Sequence, residues 1–233
     1  MLGPKGGRLR VRRADHAASS DGRPLWINLR TRSAEQDHGV NMHGLLLSAF
    51  PPEFADLADD PPQGWELACT GVGALAGAVT TARLLAEQRP NRVLFVGTCG
   101  AYDDRLAPGD FIAAAQVIAV SLDELEGRAY RPGIETTRWA AGWSLPFPGH
   151  PIAIPPAITQ TEEGARRLSA VAIAEHLELS GVFAACLAAA VPVAAALVVV
   201  NRVGPAAHTE WKAHHAEGSR RLVIALRESG VLV

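Results

Sequence analysis

The chain has 233 residues, 48% of them apolar, which is enough to bury a sizeable core and describes a globular protein. Its 22 Lys and Arg against 24 Asp and Glu leave a formal net charge of -2, which argues against a general polyanion binder and so against a nucleic-acid partner. The three cysteines, Cys69, Cys99 and Cys186, lie far apart and form no C-x-x-C pair, so neither a disulfide framework nor a thiolate metal site is expected, and a reducing cytoplasm fits.

The charge is unevenly spread. Residues 1–41 hold eight Lys or Arg against four acids, while residues 42–233 are net acidic. The first segment carries no apolar run of signal-peptide length and is read as a flexible basic N-terminal extension. An arm for nucleic acid or a membrane surface, or a true start at Met42, are the alternatives. Residues 42–233 are read as one domain.

From Gly44 the pattern alternates strand and helix. Residues 45–50, closed by Pro51-Pro52, predict a first strand. A second follows at residues 65–70, then the turn Gly71-Val72-Gly73, a helix over 74–88 stopped by Pro90, and a third strand over 93–96. Gly97-Thr98-Cys99-Gly100 is placed after that strand, and Pro108-Gly109-Asp110 turns the chain into a strand over 111–120. Residues 138–156, rich in Trp, Pro and Gly, predict a loop. A helix over 162–190 broken near Ser169, a strand over 193–200 and a terminal helix over about 209–228 complete the reading.

Residues 182–200 are apolar throughout and just long enough to cross a bilayer. Pro192 sits inside the run, alanine dominates before it, and Leu197-Val198-Val199-Val200 closes it, so a buried helix feeding a buried strand is the better reading and no membrane partner is expected.

Strands alternating with helices imply a three-layer α/β/α arrangement around a mixed, mainly parallel central sheet. Ligands of such sheets sit beyond the carboxyl ends of the strands, here residues 51–53, 71–73, 97–100 and 201–204. Gly71-Val72-Gly73-Ala74-Leu75-Ala76 fits a dinucleotide fingerprint, but no acid stands at the end of the following strand. A tight turn, or close approach of backbone to a small ligand, remains for it. Glu53 is either a solvated loop acid or a carboxylate projecting over the sheet edge. Glu178 opens an otherwise apolar helix and therefore needs partners, an internal pair or two sugar hydroxyls. Asn201 is a turn asparagine or an amide aimed at a base edge. His208, His214 and His215 lack metal-ligand spacing, and no P-loop or G-x-S-x-G elbow occurs.

Taken in order, Ser48-Ala49-Phe50-Pro51-Pro52-Glu53, Thr70-Gly71-Val72-Gly73, Gly97-Thr98-Cys99-Gly100-Ala101 with Pro108-Gly109-Asp110, Glu175-His176-Leu177-Glu178, and Val191-Pro192 leading to Asn201-Arg202-Val203-Gly204 resemble the purine nucleoside phosphorylase and nucleosidase superfamily. The resemblance covers about residues 44–218. It is nearest to the hydrolase branch, the methylthioadenosine/S-adenosylhomocysteine nucleosidases and above all the futalosine hydrolases. It implies a nucleoside phosphorylase-like domain, no metal and no organic cofactor, and a homodimer. It also implies hydrolysis of the N-glycosidic bond of a purine ribonucleoside, with Glu53 and Asn201 catalytic and Thr98, Gly100, Leu177 and Glu178 binding substrate. By position, Glu53 matches the carboxylate that deprotonates water, Glu178 the one that binds the ribose hydroxyls, and Asn201 the leaving-group position.

Where adenine-cleaving relatives carry an acid, Asn201 cannot donate a proton in that way but can bond a 6-oxopurine, so a futalosine-like base is expected. Leu177 departs from the usual Met. Phosphorolysis is the alternative function, although residues 50–54 hold no arginine to greet a phosphate; Arg83, Arg131 or Arg202 could supply the charge. A catalytically silent nucleoside-binding protein is the second alternative.

Overall fold

The computed structural model describes residues 43–233; the extension expected over residues 1–41 lies outside the described residues. The first strand, β1 (Gly44–Ser48), is buried at every position. An unbroken apolar run of this kind belongs in the interior of a sheet covered on both faces. It pairs in parallel with β2 (Trp65–Cys69) on one side and β3 (Arg92–Ala101) on the other. β3 in turn pairs in parallel with β8 (Val193–Arg202), whose far side meets β4 (Phe111–Ala119) antiparallel. β4 continues to β5 (Arg138–Ala140), antiparallel, and β6 (Gly149–Ile154), parallel. The two-residue β7 (Ala174–Glu175) bridges the end of β3 and the middle of β6. The sheet is thus mixed and mainly parallel.

Alternation along each strand sorts the core into two layers. Leu45, Leu47, Phe95 and Leu197 face α1 (Ala74–Gln88) and α4 (Leu179–Ala188), while Leu46, Leu94, Val96 and Val198 face α5 (Ala207–Glu228). A smaller cluster packs α3 (Glu162–Leu168) against Ile118 and Ala153; the four-residue α2 (Leu122–Leu125) opens with a capping box on Ser121. The apolar run 182–200 is the end of α4 followed by β8, parted by Ala190 at φ 55° and Pro192. Among the described residues no helix is long and apolar enough to cross a membrane.

Three readings of the sequence need correction. Residues 138–156 are not one loop, since β5 and β6 lie in them; Pro151 is tolerated in β6 because the register with β4 breaks beside it, between Ala114 and Gln116. The helix expected over 162–190 does break at Ser169, where α3 ends, but helix resumes only at Leu179 as α4, with β7 lying between the two. Residues 97–100 and Asn201 do not follow strands but belong to β3 and β8.

Candidate active site

A cavity of about 350 Å³ opens at this end of the sheet. Glu53, Thr98, Gly100, Leu177, Glu178 and Asn201, expected from the sequence, all line it. They come from four separate segments of the chain, and each is held there by an identifiable local cause.

Glu53 stands in the 3-10 stretch Pro51–Ala58 that leaves β1, with only 3% of its surface exposed. Its Oε1 accepts 3.0 Å bonds from both the amide and the hydroxyl of Thr98, and its Oε2 accepts a 3.0 Å bond from the Ala49 amide. These donors favour the carboxylate, but burial outweighs them and, with a smaller push from the Glu178 charge, raises the pKa to about 7. A carboxylic acid poised there is half ionised at neutral pH. The Thr98 hydroxyl also accepts from the Trp211 indole at 3.2 Å, which fixes the direction of its own proton toward Glu53.

Glycine keeps the floor of the site open. A Cβ on Gly97 would lie 3.2 Å from Glu53 Oε1 and 3.3 Å from His176 Nε2. One on Gly100 would lie 2.8 Å from the Asn201 amide nitrogen. Residues 97–100 therefore stay in strand conformation while other side chains lie across them. Asn201 reaches this place through a bulge: Cys99 pairs with Val199 but Gly100 pairs with Asn201, so one extra residue re-aims the β8 side chains. Its Nδ2 donates to the Arg202 carbonyl at 2.9 Å, which leaves one amide hydrogen and the carbonyl oxygen.

Glu178 stands at the N-terminal boundary of α4, where its side chain makes no capping bond to that helix, and is also buried. Its Oε1 accepts a 2.7 Å bond from the Gly73 amide in the turn before α1, where Gly71 and Gly73 hold φ of 81° and 92°. Of the readings for these glycines, the tight turn is the one the geometry supports.

Several lining residues carried no role in the sequence. His176, within the Glu175-His176-Leu177-Glu178 motif, is buried with its Nδ1 3.1 Å from Glu178 Oε2. Glu175 accepts from Tyr102 and the Thr159 amide, both at 3.1 Å, and ties the wall together. Trp211 stacks between His208 and His215, at 6.0 and 4.2 Å between centroids, while His214 turns to the Val200 carbonyl. The three histidines so dispersed do not converge on a metal position, and among the described residues no group of three or more possible ligands does. The signal for Trp211 and His208 was their clustering on the last helix, which carried no information on what the helix faces.

A family model described as the phosphorylase superfamily matches residues 66–176. The same architecture is found in solved structures. A futalosine hydrolase mutant of Helicobacter pylori has TM-score 0.70 at 16% identity, covering 79% of this chain and 97% of that one. The methylthioadenosine nucleosidase of Helicobacter pylori, a mutant with 5'-methylthioadenosine in its active site, has TM-score 0.71 at 16% identity over 81% and 97%. The chain has the phosphorylase-superfamily fold. A nucleosidase of Colwellia psychrerythraea holding adenine shares this phosphorylase-superfamily fold at TM-score 0.67 and 17% identity, over 79% and 93% of the two chains. A search of curated proteins by sequence found no match. The resemblance read from the motifs thus holds at the level of the phosphorylase superfamily and its nucleoside phosphorylase-like α/β fold.

Proposed function

We propose that this chain is a nucleosidase that hydrolyses the N-glycosidic bond of a purine ribonucleoside, with a 6-oxopurine base as in futalosine. The single observation that carries the reading is that Glu53, Glu178 and Asn201 line one cavity. The bond breaks through an oxocarbenium-like sugar, so the site must activate water, hold the ribose and receive the departing base. Glu53, with a pKa near 7, takes a proton from water as the water oxygen bonds to the anomeric carbon and the bond to the purine nitrogen breaks. That proton returns to solvent, and the purine anion takes one in its place. Glu178 accepts from the ribose hydroxyls, with Leu177 against the sugar. The free hydrogen and carbonyl oxygen of the Asn201 amide meet the edge of the base, and Thr98 and Gly100 line the pocket between.

Water rather than phosphate is favoured because, among the described residues, no Arg or Lys lines the cavity. Arg83, Arg131 and Arg202 pair instead with Glu87, Glu124 and Asp104. The homodimer belongs to this proposal too: Val72, Leu75 and Val79 are exposed at helical spacing beside the cavity and offer an apolar face to a second copy. Incubation with inosine, futalosine and methylthioadenosine, with and without phosphate, tests the reading. Free base and free sugar in the absence of phosphate is the expected result; sugar phosphate would make it a phosphorylase, and binding without release a silent protein.

A further inference from the structure

His176 lies on the wall of the cavity, buried, and takes no part in the chemistry above. Its amide donates to the Ala153 carbonyl at 3.0 Å, which extends β7 by one residue and fixes the backbone. The Phe95 ring meets the imidazole edge-on, 5.2 Å between centroids and 89° between planes, and Gly97 leaves room for its Nε2. Position and plane are therefore set by packing. Its Nδ1 lies 3.1 Å from Glu178 Oε2 and 3.2 Å from the Glu178 amide nitrogen.

One ring nitrogen cannot donate to the first and accept from the second. If Nδ1 carried no proton, its lone pair and a carboxylate oxygen would face each other across 3.1 Å in a buried place. If Nδ1 carries the proton, it makes a charge-assisted bond, stronger than the neutral amide bond given up. Burial pushes the ring toward its neutral form against the pull of Glu178, so there is one proton to place. The charge-assisted bond wins it.

We infer that His176 is a positioning residue: its Nδ1–H holds Glu178 Oε2 while the Gly73 amide holds Oε1, so the carboxylate is clamped at both oxygens with a lone pair on each left for two sugar hydroxyls. This rests on the proposed role of Glu178 in binding ribose. The clamp restricts the carboxylate before substrate arrives, and its loss should appear in binding rather than in the chemical step.

The test pairs kinetics with a readout that needs no substrate. Asn places its amide donor close to the position of Nδ1, Gln places it near Nε2, and Leu has none. His176→Asn is expected to keep KM near the wild-type value, whereas His176→Leu and His176→Gln raise it by about tenfold or more with a smaller change in kcat, as loss of a bond to a charged group implies. Nitrogen-15 spectra of histidine-labelled protein, assigned by difference against His176→Asn, should show His176 protonated at Nδ1 and should lose that preference in Glu178→Gln. Unchanged KM in both Leu and Gln variants, equal damage in the Asn variant, or an unprotonated Nδ1 in the wild type overturns the inference. If the wild type releases no base from any nucleoside, the proposed function fails, and the spectra alone then decide whether the clamp exists.

Discussion

The Glu178 carboxylate accepts a 2.7 Å hydrogen bond from the Gly73 amide, 105 residues earlier in the chain. The bond exists because α1 and α4 approach unusually closely. Gly77 faces the Glu178 carbonyl, and a Cβ on Gly181 would run into the Ala74 carbonyl oxygen and lie 2.7 Å from the Ala78 nitrogen. Two helices that frame the core therefore also set the position of a buried acid on the cavity wall.

Gly181→Ala should push those helices apart. The expected cost is about 1–3 kcal/mol, the usual range for overpacking a close contact. A fall in Tm accompanied by a rise in KM for the nucleoside would show both effects, and an unchanged Tm would contradict the packing argument.

Thr98→Val removes the hydroxyl that donates to Glu53 Oε1 and accepts from Trp211. Glu53 acts as a base only when ionised, so kcat/KM should rise with pH through about 7 and level off above it. The lost bond favoured the ionised form, so in the variant this limb moves to higher pH. Parallel pH profiles of kcat/KM check it; a limb that stays in place or moves down contradicts the assignment.

Gly100→Ala brings a Cβ within 2.8 Å of Asn201 Nδ2 and 2.9 Å of Val203 Cγ2. Asn201 must move, and displacement on the scale of 1 Å costs a rate on the order of 10²-fold. Gly133→Ala, where the new Cβ meets nothing within 4 Å, is the control and should leave base release unchanged.

The elements most legible in the sequence were those that need only local pattern. β1 and β8 are continuous apolar runs, α1 lies between a glycine turn and Pro90, and α5 starts within two residues of its expected place. Glu53, Glu178 and Asn201 each stand in a short motif, and that was enough to single them out as candidates that prove to line one cavity. What stayed hidden depends on distant partners. β5 and β6 carry Trp, Pro and Gly that suit a loop, and only pairing with β4 makes them strands. The two residues of β7 exist because β3 and β6 flank them. The reach of Trp211 to Thr98, across 113 residues, and the seat of His176 against Phe95 follow from packing that no spacing encodes.

The assignment of Glu53 as the base is tested most directly by base release from a purine nucleoside at pH 8, wild type against Glu53→Gln, with the sugar product identified. Glutamine keeps the size of the side chain but cannot take a proton from water. The predicted result is free base and free sugar from the wild type and a rate lower by a factor on the order of 10²–10⁴ in the variant, with nucleoside binding retained. Full release by Glu53→Gln would contradict it.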